Sequence, residues 1–228
     1  VNVWSRVSDR NFYPDRFRDH LFGDHRRPDF GYWYHYFGYR WDDDNGNARS
    51  DTETTELKLD DGGRATVTAK VSEADFPTLR DVMIQTEVTD SNRQTLSKTS
   101  TAKVHPASVY VGVRRIDRLV RVGDELALDL IAVDATGAAF EGELKVEATL
   151  SREVNEQVRL RTPEGGAVRN EKREEQLSSV QVKVGGEDSK YVFAPDKPGR
   201  HTLELRGFDA AGKEFATAVT IHVYGTDE

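Results

Sequence analysis

The 228-residue chain is long enough for one large domain or for two of about 110 residues. Its formal net charge of −8 argues against a general nucleic-acid or anionic-membrane binder, and the absence of Cys excludes disulfides, thiolate metal sites and cysteine nucleophiles. Charged residues (32%) and hydrophobic residues (36%) allow a core, no apolar run approaches the roughly 20 residues of a membrane span, and no signal peptide opens the chain.

The chain begins with VNVWSRV, strand-like from its first residues, which predicts a piece cut from something longer. PDRFRDHLF at 14–22, with Pro at its head, predicts one or two short helical turns. In FGYWYHYFGYRW at 30–41, eight of twelve residues are aromatic. Tyr32, Tyr34 and Tyr36 alternate with Trp33 and His35, the pattern of a strand with two aromatic faces that covers an open sheet. Where such rings are exposed, Tyr32, Trp33, Tyr34, Tyr36 and Phe37 form a contact patch for sugar rings or a partner. WDDDNGN at 41–47 falls short of a calcium loop: counted from Asp43, Asn45 and Asn47 fit, but Ala48 replaces the required Gly and Thr54 the closing Glu. An acidic surface turn is expected there. His20, His25 and His35, with Asp19 and Asp24, match no zinc spacing, so no metal is expected.

Alternating runs follow. Leu57 and Leu59, then Ala65, Val67, Ala69 and Val71, then Val82, Ile84 and Val88 pattern three strands in the first half. In the second, Leu126, Leu128 and Leu130; Leu144, Val146, Ala148 and Leu150; Val180, Val182 and Val184; Tyr191 and Phe193; Leu203 and Leu205; and Val219, Ile221 and Val223 do the same. A period of two puts one face of each strand in a core, so Leu126, Leu128, Leu144, Val146, Ala148, Leu203 and Leu205 are expected inside. About seven strands are expected, near 108–114, 125–134, 143–151, 154–161, 177–184, 190–194 and a hairpin at 201–223. With an offset of about 119, Val82–Asp90 falls on His201–Asp209, so the chain reads as two tandem copies of one antiparallel β-sandwich. The expected domains are 1–106, with a long aromatic insertion at 8–50, and 107–228, joined at His105-Pro106-Ala107. VNVWSRV best matches 144–151, and nothing precedes it to match the two strands before that one. The first sandwich is therefore predicted to be incomplete at its N-terminus, covered in part by 30–41 or by a second copy.

Asp134-Ala-Thr-Gly137, Asp209-Ala-Ala-Gly212 and the related stretch at Asp90 each end a strand. With no glycine-rich loop opening a helix, they read as turns, the Asp accepting from backbone amides, Gly or Asn92 taking the left-handed position. TPEGGAVRNEKREEQ at 162–176 is polar and glycine-containing, which predicts a protease-exposed loop bearing Arg169, Lys172 and Arg173. No nucleophile elbow is present, and no catalytic residue or cofactor is expected.

The runs EVTDSNRQTLSKTSTAKVHPASVYVGVRR at 87–115, VRVGDELALDLIAVDATGAAFEGELKVEATLSREV at 120–154 and PDKPGRHTLELRGFDAAGKEFATAVTIHVYGTDE at 195–228 resemble bacterial alpha-2-macroglobulins. The resemblance implies consecutive macroglobulin domains, each a seven-stranded fibronectin-like sandwich of the Ig-like kind, joined by linkers of the VHP type. It implies a non-catalytic part of a broad protease inhibitor that traps its target after a bait region is cut. The partners would be proteases, met through the full-length parent, and neighbouring macroglobulin domains of the same chain. The place would be the periplasm, with any membrane anchor outside this segment. Many members carry a thioester in a Cys-x-x-Gln motif, which a Cys-free sequence lacks. A tandem Ig-like module of a bacterial adhesin or carbohydrate-binding surface protein is the alternative, resting on the aromatic segment.

Overall fold

The computed structural model describes residues 1–26, 50–68, 70–71, 76–90, 92–115, 119–162, 165–186 and 189–225, with side chains for all of these but 50, 51, 157–162 and 165–170. The chain forms two compact units, one from Val1–Phe12 and Phe30–Pro106, the other from Tyr13–Asp29 and Ala107–Glu228. The aromatic patch at 32–37, His35 and the acidic turn at 41–47 lie outside the described residues.

The second unit is a β-sandwich. Strands β7 (Val109–Arg114), β9 (Leu126–Asp134) and β12 (Ser189–Phe193) form one sheet in the order β12-β9-β7. The facing sheet runs β11-β10-β13-β14, from β10 (Glu143–Thr162), β11 (Gly165–Gly185), β13 (Gly199–Phe208) and β14 (Glu214–Tyr224). Alternation sets the inward face: Val146 and Ala148 of β10 and Leu203 and Leu205 of β13 are fully buried against Leu128 and Leu130 of β9. Leu144 is buried as expected, while Leu126 is half-buried at the rim of the same core.

Two short strands close the side of this sandwich. After a 3-10 turn at Asp15–Phe17, β2 (His20–Leu21) pairs with the edge of β7, and β3 (Asp24–His25) pairs with the edge of β14. A third short strand, β8 (Leu119–Arg121), takes the rest of that edge, lying parallel to β14. Residues 13–26 thus form a strap from one sheet to the other, and both edges gain backbone partners. Between its two strands Phe22 is wholly buried, its ring 2.5 Å from where a Cβ on Gly112 would stand. Gly23, at φ 94°, makes the bend; its N–H donates to Thr217 Oγ1, whose hydroxyl donates to the Val111 carbonyl of the opposite sheet. These residues, read from the sequence as part of an insertion in the first unit, pack with the second. The helical turns expected at 14–22 shrink to the single 3-10 turn, because His20 and Leu21 are taken into the β7 ladder.

Among its described residues the first unit contributes one sheet, ordered β4-β1-β5-β6, from β1 (Asn2–Arg10), β4 (Ser50–Glu56), β5 (Leu79–Thr89) and β6 (Thr95–Val104). Val3, Ser5 and Val7 of β1 and Val82 of β5 share its buried face. The alternating run at 65–71 forms no strand among its described residues. Alternation shows that a segment could lie on a sheet, but a strand also needs a neighbour to bond with.

Among the described residues the Asp turns are one device used four times. At Asp60, Asp90, Asp134 and Asp209, Oδ1 accepts from the amides two and four residues on, at 2.8–3.0 Å. The residue three on takes positive φ: Gly63, Gly137 and Gly212, but Arg93 at 64° in the Asp90 turn. The left-handed residue there is Arg93 rather than the expected Asn92, because the turn geometry fixes that role by position and not by side-chain preference. Arg93→Gly should therefore stabilise the first unit by about 0.5 kcal/mol, the relief of left-handed strain partly offset by greater unfolded-state entropy. A urea-denaturation series measures it, and a loss of stability would contradict the turn assignment.

Candidate functional site

The segment expected to be a protease-exposed loop is a ladder. Residues 165–176 belong to β11, which pairs with β10 without a break from Thr162↔Gly165 to Glu143↔Gly185, apart from one bulge at Leu150/Ser151. β10 likewise runs through the gap expected near 152–153. Only Val146–Arg152 of β10 also pair with β13, so beyond Arg152 the two strands form a ribbon roughly 30 Å long. Near its base, cross-strand ion pairs brace it. Lys172 pairs with Glu153 at 2.7 Å, Arg173 with Glu156 at 3.4 Å and Arg152 with Glu175 at 3.1 Å. Arg169 lies on the same strand, opposite Val158. Lys172 and Arg173 are exposed. Each ribbon strand is hydrogen-bonded along one edge only, so 165–176 is an edge strand and not a free loop. Sequence reasoning placed a strand at 154–161 but missed its partner, because the two glycines and clustered charges of 165–176 leave no hydrophobic period to read.

Where the ribbon leaves the sheet, the outer face carries a polar hollow of about 250 Å³ lined by Arg26, Thr149, Ser151, Glu174, Gln176, Thr202 and Glu204. Its charges are matched within the protein. Arg26 forks onto Asp24 at 2.7 Å and approaches Glu204 at 3.8 Å, while Arg206 bridges Glu204 and Glu214. Arg200 donates to the Arg26 carbonyl and meets Glu153 at 3.4 Å. This lattice fastens the end of the strap to β13 and β14. The histidines of the strap are equally engaged: His20 Nδ1 lies 2.7 Å from Asp19, and His25 Nε2 lies 3.2 Å from the Phe22 carbonyl. Asp19 in turn accepts from Arg114 at 3.0 Å. Among the described residues no three His, Asp or Glu side chains gather to hold a metal. The apolar cavity beside Leu21, Val113 and Ile221 measures about 10 Å³, room for no more than a water molecule.

His201 is a chemically unusual member of the core. It is fully buried on the inward face of β13, opposite Arg152 of β10. His201 Nε2 and Arg152 Nε both lack a hydrogen-bond partner within the protein. Burial pushes the His201 pKa down, the Gly199 carbonyl and the Asp196 charge oppose this, and the Arg152 charge adds to the lowering. The folded state thus binds a proton less readily than the unfolded chain, and the stability this contributes is present above about pH 6.5 and lost as pH falls. His201→Leu should stabilise the second unit at pH 7 by about 1–2 kcal/mol, and its advantage should widen at pH 5. Denaturation at the two pH values decides; a narrowing gap would place a partner on Nε2.

Neither a protein-family model nor a curated protein sequence matches the chain. Solved structures do. Escherichia coli alpha-2-macroglobulin activated by porcine elastase matches all of this chain (100%) and 19% of its own, with TM-score 0.60 and 16% identity. The native conformation of the E. coli protein gives TM-score 0.58 over 100% of this chain and 14% of its own, also at 16% identity. The chain has the fold of a stretch of bacterial alpha-2-macroglobulin. Salmonella alpha-2-macroglobulin reacted with methylamine agrees, with TM-score 0.55 and 16% identity over 97% of this chain and 14% of its own. The chain spans less than a fifth of the length of these alpha-2-macroglobulins.

Proposed function

We propose that residues 1–228 are a non-catalytic pair of macroglobulin domains within a bacterial protease-trapping protein of the alpha-2-macroglobulin kind, working in the periplasm. One observation supports this above the rest. The likeness to solved alpha-2-macroglobulins runs through both units, 97–100% of the chain, rather than through one sandwich, a fold shared by many unrelated proteins. The internal charge matching of the strap and ribbon fits the same reading, since these groups brace the scaffold. Proteases would be met elsewhere in the parent, and this segment would carry shape and strain between its neighbours.

The test uses the full-length parent with a stoichiometric amount of elastase. A trap lowers cleavage of casein while sparing a small chromogenic peptide, and the particle changes shape by small-angle scattering. Undiminished casein cleavage would refute the trap. Residues 1–228 alone should leave both activities untouched; stoichiometric inhibition by them would move the inhibitory element into this segment.

A further inference from the structure

Three features of the second unit meet at one rung of its larger sheet. Arg152↔His201 is the last pair that β10 shares with β13, so the ribbon departs there. The same Arg152 faces Glu175 of β11, two positions from Leu177, the residue that the bulge leaves without an opposite number on β10. A bulge interrupts a ladder and bends its strand, so the ribbon is joined to the sandwich at a weak place. The third feature is His201 itself, fully buried at that rung. Its cover is thin. The Arg152 side chain, 14% exposed, runs past Gly199, with Cγ 4.0 Å from where a Cβ on that glycine would stand.

The groups around the ring decide what a proton does there. His201 Nδ1 lies 3.4 Å from the Gly199 carbonyl, which places the resident proton on Nδ1 and leaves Nε2 to receive another. No acceptor of the protein stands at Nε2. β10 contributes the Arg152 cation, already held by Glu175 of β11 at 3.1 Å, and the loop before β13 contributes the charge of Asp196. β14 places apolar Ile221 opposite. A second proton on the ring therefore sets a cation beside Arg152 where water is excluded and the nearer carboxylate is engaged. Moving Arg152 outward, with the strand that carries it, relieves the conflict and wets the ring. The other tie at the base is insensitive in the same range: Lys172 above all, with Arg200, holds Glu153 below the usual carboxylate range, so it keeps its charge from pH 7 to pH 5. His222, opposite Arg200, is exposed on β14.

We propose that the Arg152–His201 rung is an acid-released catch: protonation of His201 frees the base of the β10–β11 ribbon from β13 while the rest of the sandwich keeps its fold. The catch is closed at pH 7. Below the ordinary imidazole value of about 6.5 the open form takes the proton more readily than the closed one, so each further pH unit multiplies the opening by up to about tenfold. The device is local and belongs to this chain alone; it stands whether or not the parent protein traps proteases.

Hydrogen exchange of residues 1–228 between pH 7 and pH 5, corrected for the intrinsic rate at each pH, reads the catch directly. Protection at 151–156 and 171–176 should fall by up to about 20-fold over that range, while 128–133 and 203–207 hold theirs. His201→Gln, which cannot titrate, should keep the ribbon base equally protected at both pH values, and His222→Gln should behave as the wild type. In the wild type, the His201 ring protons followed by NMR should titrate below pH 6.5, in step with the loss of protection. Protection of the ribbon base that ignores pH would overturn the proposal, as would an unchanged fall in His201→Gln. Loss at 128–133 in step with the ribbon would overturn it too, since the whole unit would then be unfolding. The ring titration carries the test in the wild type alone: a midpoint at or above 6.5 would show that burial does not hold the proton off.

Discussion

Phe22→Ala should lower the unfolding free energy of the second unit by about 3–5 kcal/mol, the range for a fully buried aromatic side chain cut back to a methyl. The ring fills the seam between the β7 and β14 edges, and Gly112 leaves it room, so few atoms can move in to replace it. Gly112→Ala attacks the same contact from the other side. An added Cβ would lie 2.5 Å from the Phe22 ring and should cost about 1–3 kcal/mol. The two losses should not add, because each removes the contact that the other disturbs. Calorimetry on the single and double variants checks this: the second unit's transition should shift while the first unit's stays. Additive losses would mean that the ring and the glycine act separately.

Asp209→Asn should lower the melting temperature of the second unit by on the order of 5 °C at pH 7. Asp209 closes the β13–β14 turn through Oδ1, and its Oδ2 accepts from the Ser108 amide at 2.9 Å and the Ser108 hydroxyl at 2.8 Å. The carboxylate thereby holds the start of β7 to the far end of the hairpin. The Ser108 amide above all, with those of Lys213 and Ala211 and the Ser108 hydroxyl, brings its pKa to about 2. A lowered pKa in the folded state means stability present above the unfolded value near 4 and lost as pH falls from there toward 2. The wild type should show that acid limb and the variant should lack it, the two curves converging near pH 2. Parallel curves would show that the carboxylate charge is not what the amides read.

Strands that place one face in a core announce themselves in the sequence: Leu144, Val146 and Ala148, or Leu203 and Leu205, could belong to little else. Strands that face water on both sides do not. β4, SDTETTE, has no apolar residue to mark it, and β11 from Arg169 to Gln176 is polar throughout, so a continuous ribbon read as two strands and a loop. Residues 65–71 show the opposite error, a good pattern that forms no strand among its described residues. The strap was illegible for a further reason. Two-residue strands are too short for any period, and Leu21-Phe22-Gly23, an apolar pair before a bend, was the one local sign of an anchor. The Asp turns could be read in kind but not in detail, because position along the turn, not residue type, makes Arg93 left-handed.

The strap also changes what a cut in the chain can do. Because residues 13–29 belong with the second unit and the flanking segments with the first, the backbone passes between the units three times, at 12–13, 29–30 and 106–107. A single nick at Pro106 leaves the fragments knotted together by a peptide whose aromatic plug must be drawn out of a core before they part.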